Sequence, residues 1–513
     1  MANNVGVFTQ RSVAGPLAFG PDPGDAVFLA VLAERGPINV PTLITSFTRF
    51  KSIFGGALSA TLGFSAGYEV ARILFEKGVQ RMYVTRIVGA SALAAHVDLV
   101  DRNSLTTPED TLRVAAVGPG VWANALKVVI ADGTKANTFK LTVTDANDVA
   151  LEGEVFDNLL LNAASLNRVN DASAYVRLSD LGSSTAAPET IPANGTFDLD
   201  GTQAGVDDHA PNDAAIVGTE TMGVKSGLKV FRDYRLGRGF TLAPDLDAGA
   251  TVRTEMLAQL EQFYHLPMFS GPAVGASPTT AISDVVSARS IAGGGYYYPR
   301  ALVEDELTGD VKAIPVAGHV VADWLRIIPV RGPGKAPAGR DFRIDYVLGL
   351  ETQSNGQPLI DAGVAELLVA QGVNPVYDRN GAGPRVWGGR ATAEDASWQY
   401  LHAGYLWVLI ASRVQEALDD LVYDVADEAF FAAVRLAIRN FLVDLHGQGA
   451  FNGAIPLENE QIDPDIHAFA VKADASLLSD QDKANGIVRV EIWFKPALVA
   501  ETINVNVAKR NEG

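Results

Sequence analysis

The apolar positions of this chain change period several times, and the changes mark out its elements. From Val27 to Leu32 every residue is apolar, the pattern of a strand buried on both faces of a parallel sheet. Gly36-Pro37 breaks the run, and a short strand follows over residues 42–45. Ser46 stands where it caps a helix carrying Phe47, Phe50 and Phe54, which Gly55-Gly56 closes. A longer helix with Val70, Ile73 and Leu74 ends at Gly78 and leads into a strand over 82–88. Strands and helices in this alternation predict α/β winding.

Between about 90 and 218 the pattern shortens to β-prone segments at 112–117, 126–131 and 139–143, separated by Gly, Asp and Asn turns. Residues 183–211, rich in small residues, Gly and Asp, read as a mobile surface loop. From Gly239 the α/β pattern returns, with strands near 240–242, 266–269 and 295–299. Between them lie one helix with Val252, Met256, Leu260 and Phe263 and another over 282–289.

The chain from Trp398 onward carries two helical stripes. Leu406, Ile410, Val414, Leu418 and Leu421 form one; Phe431, Val434, Ile438, Leu442 and Leu445 form the other, with Asp427 as N-cap and Gly447 and Gly449 at its end. Core packing accounts for both. After the Asn485-Gly486 turn signal the period becomes two, because Val488, Val490, Ile492 and Phe494 alternate with Ile487, Arg489, Glu491 and Trp493. Pro496 stops that strand, having no N–H for a ladder. A last alternation sets Ile503, Val505 and Val507 against Thr502, Asn504 and Asn506. A terminal segment of this kind fits an edge strand of its own sheet, a frayed tail, or a hook for a neighbouring copy. The N-terminus also alternates, at Val5, Val7 and Phe8, before a Gly/Pro-rich leader over 15–24. Two such ends point to assembly.

At 513 residues the chain exceeds what one core usually holds. The expected organisation is an N-terminal arm over 1–25, the first part of an α/β core over 26–90 and an inserted β-rich domain over 91–218. An α/β domain over 219–395, a C-terminal domain over 396–497 and an arm strand over 498–513 complete it. The longest strongly apolar run, 403–411, is far below the ~20 residues that span a bilayer, so no direct membrane insertion is expected. The first residues, Met1-Ala2-Asn3-Asn4, lack the basic start and apolar core of a signal peptide. A net charge of −19 speaks against wrapping nucleic acid, and charged partners should be basic or meet a local basic patch.

With no cysteine, disulfides, thiolate zinc sites and cysteine nucleophiles are excluded. Gly332-Pro333-Gly334-Lys335 is followed by Ala336 and Pro337, not by the Ser/Thr that a phosphate-cradling loop requires. Asp198-Leu199-Asp200-Gly201 and Asp245-Leu246-Asp247 lack the glutamate that completes a calcium loop. His96, His209, His265, His319, His402, His446 and His467 are scattered, with no pair at ligand spacing on a helix. No catalytic residue, metal ligand or cofactor is therefore expected. An α/β enzyme with an inserted β domain stays as a rival reading, its site at the carboxyl ends of the parallel strands; a virion or surface-layer protein that does not contract is a third.

Gly36-Pro37, Pro41-Thr42-Leu43-Ile44-Thr45-Ser46-Phe47, Phe54-Gly55-Gly56 and Tyr83-Val84-Thr85-Arg86-Ile87 resemble the opening of contractile tail sheath proteins. The likeness recurs at Val373-Asn374-Pro375, Arg385-Val386-Trp387-Gly388-Gly389-Arg390, Trp398-Gln399-Tyr400 and Asn440-Phe441-Leu442, in the family's order. Gly118-Pro119-Gly120-Val121-Trp122-Ala123-Asn124 is similar to a turn in sheath insertions, and residues 316–338 to a loop, altered here by His319 and Trp324. The resemblance implies a mixed α/β (α+β) sheath core built from both ends of the chain, with extended terminal arms. It also implies strand donation, with Val5, Val7, Phe8, Ile503, Val505 and Val507 as arms and Val488, Val490, Ile492 and Phe494 as the receiving strand. Leu445, His446, Gln448 and Phe451 would face an inner tail tube protein. The partners implied are the chain itself in a helical sheath, the tube, and baseplate and tail terminator proteins. The place implied is a virion tail assembled in a host cytoplasm, or a bacterial contractile injection particle. Removing residues after Ala497 should leave a folded subunit that does not polymerise.

Overall fold

The computed structural model describes residues 19–58, 63–102, 107–185, 189–379, 381–457 and 460–501. Its centre is an eight-stranded mixed sheet. In chain order the strands are β1 (Ala26–Val31), β2 (Thr42–Ile44), β3 (Met82–Arg86), β4 (Gly239–Leu242), β5 (His265–Phe269), β6 (Gly295–Tyr298), β7 (Asn374–Tyr377) and β8 (Arg385–Val386). They lie side by side as β2-β3-β1-β4-β5-β6-β7-β8. The six inner strands are parallel, and the edges β2 and β8 are antiparallel to their neighbours.

The continuous apolar run of β1 is explained by its place in the middle of that sheet. Val27, Leu29 and Val31 enter one core and Ala26, Phe28 and Ala30 the other, so both pleat faces are dry. The first face is covered by α1 (Phe47–Phe54), α2 (Ala66–Glu76), α4 (Ala317–Arg331), α5 (Leu401–Asp419) and α6 (Glu428–Gly447); α3 (Ala250–Phe263) packs on the second. Ser46 and Asp427 cap α1 and α6 as their positions predict, each accepting from the backbone N–H three residues on.

Residues 95–199 build a separate core around two antiparallel sheets. One joins Gly195–Asp198, Lys127–Asp132, Phe139–Thr144 and Ala150–Leu159; the other joins His96–Val100, Asp110–Ala116 and Val176–Asp180. Arg86, at the end of β3, fastens this unit to the sheet. Its guanidinium donates to the carbonyls of Pro119 (2.7 Å), Ala33 (2.9 Å), Glu34 (3.2 Å) and Gly36 (3.4 Å). Gly118 packs so tightly here that a Cβ would sit 2.1 Å from the Gly36 carbonyl.

Three expectations are corrected. Much of 183–211 is ordered pairing: Gly195–Asp198 is a strand, and Gln203 and Val206 bridge to His96 and Leu93. Backbone pairing with distant segments holds it, which its polar composition does not reveal; positions 186–188 lie outside the described residues. Residues 316–338 are mainly the helix α4, because His319 and Asp323 are buried with partners: His319 Nε2 meets the Asp345 carbonyl at 3.0 Å and Lys77 Nζ meets Asp323 at 2.9 Å. The strand expected from Val488 begins only at Glu491. Asn485 instead ends a short helix, α7 (Asp480–Asn485), with Gly486 as its left-handed cap at φ 68°. Arg489 pairs with Asp482 at 2.7 Å, drawing the segment with Val488 and Val490 toward that helix and off the ladder.

Candidate functional site

The expected receiving segment forms a small sheet with β9 (Phe469–Lys472) and β10 (Glu491–Phe494) antiparallel, Phe469 opposite Phe494 and Val471 opposite Ile492. Lys495 N–H donates to the Ala468 carbonyl at 2.8 Å, which sets the phase of the ladder. By alternation Ala470 and Trp493 form a bonded pair, while the peptide groups of Val471, Ile492, Phe469 and Phe494 point to the outer edges. Among the described residues each strand has one strand partner, so two edges face outward. Ile492 and Phe494 are half-buried against the core, whereas Glu491 and Trp493 are exposed.

Beyond β10 the chain is tied down point by point. Ala497 N–H donates to the Ala450 carbonyl at 3.0 Å, and His402 Nε2 lies 3.0 Å from the Ala497 carbonyl. Glu501 pairs with Arg390, whose Nε reaches its carboxylate at 2.8 Å. Ile503, Val505 and Val507 follow and lie outside the described residues, as do Val5, Val7 and Phe8.

The other end is fastened to the same helix. Phe19 stacks on Phe441 of α6 at 4.4 Å, and Arg413 of α5 donates to the Gly20 carbonyl. Asp22 and Asp25 both pair with Arg238, at 2.8 and 2.7 Å, and Tyr405 donates to Asp25 at 2.6 Å. This leader lines a cleft of about 860 Å³ with Arg81, Leu409, Phe441 and Gln448. α5 therefore holds the C-terminal exit through His402 in its first turn and the N-terminal leader through Tyr405 and Arg413. Sequence reasoning missed these clamps, since each joins residues 95 or more positions apart.

The electrostatics of the clamps follow from burial. Burial lowers His402 to about 4, the nearby Lys335 charge adding to it and the Ala497 bond opposing it. Burial also drives the Tyr405 phenol well above its usual range, with the Asp25 charge reinforcing it. Burial alone would raise Asp22, but the hydrogen bond and charge of Arg238 outweigh it and hold that carboxyl below its usual value. At neutral pH the contacts join an uncharged imidazole to a carbonyl, and a phenol and a guanidinium to carboxylates.

Of the residues expected to face a tube, Leu445 and Phe451 are buried, Phe451 packing on Phe469 and Phe494 at 6.0 and 5.8 Å. Leu445 closes the apolar stripe of α6, and that stripe points inward. Gln448 is exposed, and His446 is half-buried with Nε2 2.9 Å from the Gly453 carbonyl.

The carboxyl ends of the parallel strands, where an α/β enzyme keeps its site, are filled by ion pairs. Arg300 after β6 pairs with Asp245 after β4, and Arg253 pairs with Asp284 at 2.8 Å. Asp247 there is buried and accepts from the Ser270 N–H at 2.8 Å; burial raises its carboxyl. Lys335 of the glycine-rich loop spends its ammonium on the carbonyls of Ala336 and Ala338. No group of three His, Cys, Asp or Glu among the described residues is placed to hold a metal, and no helix there is long and apolar enough to cross a membrane.

No family model and no curated protein matches the chain. Solved structures do, over nearly its whole length. The helical sheath of the anti-feeding prophage in its contracted state is 15% identical, with a TM-score of 0.56 over 99% of this chain and 100% of that one. The sheath complex of the PVC extracellular contractile injection system, also contracted, is 13% identical at a TM-score of 0.54, covering 99% and 98%. A sheath tail protein from Listeria innocua is 12% identical at 0.52, covering 90% of each chain. The fold is that of contractile sheath proteins. Within the sheath fold the central sheet, the unit at 95–199 and the β9–β10 ladder are parts of one chain whose described ends converge on α5.

Proposed function

We propose that this chain is a structural, non-enzymatic subunit of a contractile tail sheath. It polymerises around an inner tube in a metastable extended state and contracts to drive that tube through a target envelope. The observation that carries this reading is the clamping of both described ends onto α5, beside a two-stranded ladder whose outer edges have no strand partner among the described residues, in a chain of sheath fold. A sheath must let its bodies slide and rotate without parting, which a donated strand on a tether permits and a flat side-chain interface does not. Each backbone hydrogen bond contributes about 1 kcal/mol net, and a donated strand adds several together.

In this reading residues 1–25 and 498–513 are arms, with Val5, Val7, Phe8, Ile503, Val505 and Val507 the donated positions. Ile492 and Phe494 belong to the receiving edge. Residues 91–218 form an outer unit, 26–90 with 219–395 the sheath body, and 396–497 the inner part that presents Gln448 and His446 toward the tube. Baseplate and terminator proteins close the two ends of the assembly, which belongs to a phage tail built in the host cytoplasm or to a cell-derived injection particle. The energy of contraction is held in the extended lattice, with no nucleotide.

Negative-stain microscopy tests the reading. The full chain should form helical tubes of two widths. A chain ending at Glu501, which keeps the Arg390 contact, should unfold at the same temperature yet form no tubes. Tubes from the shortened chain would refute strand donation; a single fixed lattice or discrete particles from the full chain would refute the contractile sheath.

A further inference from the structure

The turn between α5 and α6 presents an apolar knob to solvent. Val422, Tyr423 and Val425 are exposed, Tyr423 completely, and Tyr423 holds φ 78°, a left-handed conformation that costs a non-glycine residue about 1 kcal/mol or more. Among the described residues no ring contact or hydrogen bond of the fully exposed Tyr423 side chain offsets that cost. The knob is rimmed by Asp419, Asp420, Asp424 and Asp427; the two other carboxylates of positions 414–434, Glu416 and Glu428, pair with Arg413 and Arg435 at its margins. Exposed apolar groups inside a polar rim are the usual form of a protein contact.

The same chain carries the opposite surface. Val330, 78% exposed, lies in the last turn of α4 with Arg326 one turn before it and Arg331 and Arg340 beside it. Positions 324–343 hold five basic residues and a single acid, Asp341, in a chain whose net charge is −19; Lys335 turns to backbone carbonyls and Arg326 also touches Asp323, which leaves the exposed Arg326, Arg331 and Arg340 as the basic surface. The two surfaces cannot meet within one molecule. The end of α4 abuts the end of α6, where a Cβ on Gly332 would lie 1.8 Å from the Gln448 carbonyl. The knob sits at the other end of α6, whose 20 residues span roughly 30 Å.

We propose that the α5–α6 knob of one copy docks on the Arg326–Val330–Arg340 surface of the next. This rests on the sheath reading and names one of the contacts that link its copies. Two different, complementary patches at opposite ends of a rigid element make a heterologous contact. Repeated, such a contact gives a ring or an open row of subunits, not a closed two-fold dimer. Tyr423 and Val425 bring apolar area to Val330, and Asp420 and Asp424 face the arginines.

The test is charge reversal in the full chain, with assembly followed by sedimentation and microscopy. D420K/D424K changes only exposed side chains, so its unfolding temperature should match that of the parent; R326E/R340E also breaks the Arg326 contact to buried Asp323 (3.0 Å) and should unfold at a lower temperature, so its assembly is compared where both chains are fully folded. Each pair should raise the concentration needed for assembly about tenfold, as expected of a few exposed ion pairs turned repulsive. The chain with all four changes, in which the charges are exchanged, should assemble within about threefold of the parent. Unchanged assembly of either pair, or a four-fold variant no better than the pairs, would overturn this contact and leave the sheath reading standing. A parent chain that never assembles would overturn both.

Discussion

Tyr405 donates a 2.6 Å hydrogen bond to Asp25 across 380 positions of sequence, and Asp25 in turn pairs with Arg238 at 2.7 Å. The buried phenol thus decides where the N-terminal leader leaves the body. Tyr405→Phe keeps the ring packed on Phe240 and Trp324 but removes the donor. Because Arg238 still faces Asp25, the loss should be about 2 kcal/mol, not the larger cost of an orphaned charge. A urea titration reads this as a lower midpoint, and protease should reach the leader sooner. An unmoved midpoint would show that the phenol holds nothing.

Arg86 is the pin between the sheet and the 95–199 unit, and burial lowers it to about 10 although Asp207 and Glu34 oppose the shift. Its flat fork addresses four carbonyls at once, a geometry that an ammonium cannot copy. Arg86→Lys should cost about 3 kcal/mol, because carbonyls left without a donor stay buried. The expected readout is earlier unfolding together with faster proteolysis inside residues 91–218. Equal stability of the two proteins would rule out the pin.

What was legible in the chain was what local periodicity encodes. The apolar run at 27–32, short and closed by Gly36-Pro37, read as a strand buried on both faces, and the stripe from Phe431 to Leu445 with Asp427 before it read as a capped helix. α4 was hidden because His319 and Asp323 interrupt its apolar pattern and are satisfied by Asp345 and Lys77, which lie outside the helix, 26 and 246 positions from the residues they meet. Gly486 signalled a turn, but the capping box of Ser479 and Asp482 made it a helix end instead of a hairpin. The alternation at Ile492 and Phe494 pointed to the ladder. The clamps on α5 had no local signal, since a lone His, Tyr or Arg on a helix reads the same whether or not a distant carbonyl or carboxylate meets it.

Acid should loosen the C-terminal clamp in a defined window. His402 has an ordinary unfolded value near 6.5 and is lowered to about 4 in the fold. Its folded value is depressed, so its contribution is complete above pH 6.5 and is lost as pH falls toward 4, because the unfolded chain takes up the proton first. At about 1.4 kcal/mol per pH unit, the loss between pH 6.5 and 5 is about 2 kcal/mol. His265 and His319, each lowered to about 3 by burial, add the same sign of dependence. His402→Gln removes one share only. Across that range the parent should lose about 2 kcal/mol more than the variant; parallel curves would mean that His402 is protonated equally in both states.

The last tether before the C-terminal arm separates folding from assembly. Glu501 meets Arg390, which also lies 4.6 Å over the Tyr400 ring, and both partners of the ion pair are partly exposed. A pair of that kind contributes less than about 1 kcal/mol to a single subunit. If the arm is donated, however, the same pair fixes the point and direction from which it starts toward its neighbour, and a mis-aimed tether lowers the effective concentration of the strand at its acceptor. Glu501→Gln should therefore leave the urea midpoint nearly unchanged while raising several-fold the concentration at which tubes form. Should folding and assembly both be indifferent to the change, the exit at Arg390 has no part in joining copies; should both fall together, Glu501 belongs to the body of the fold and not to its tether.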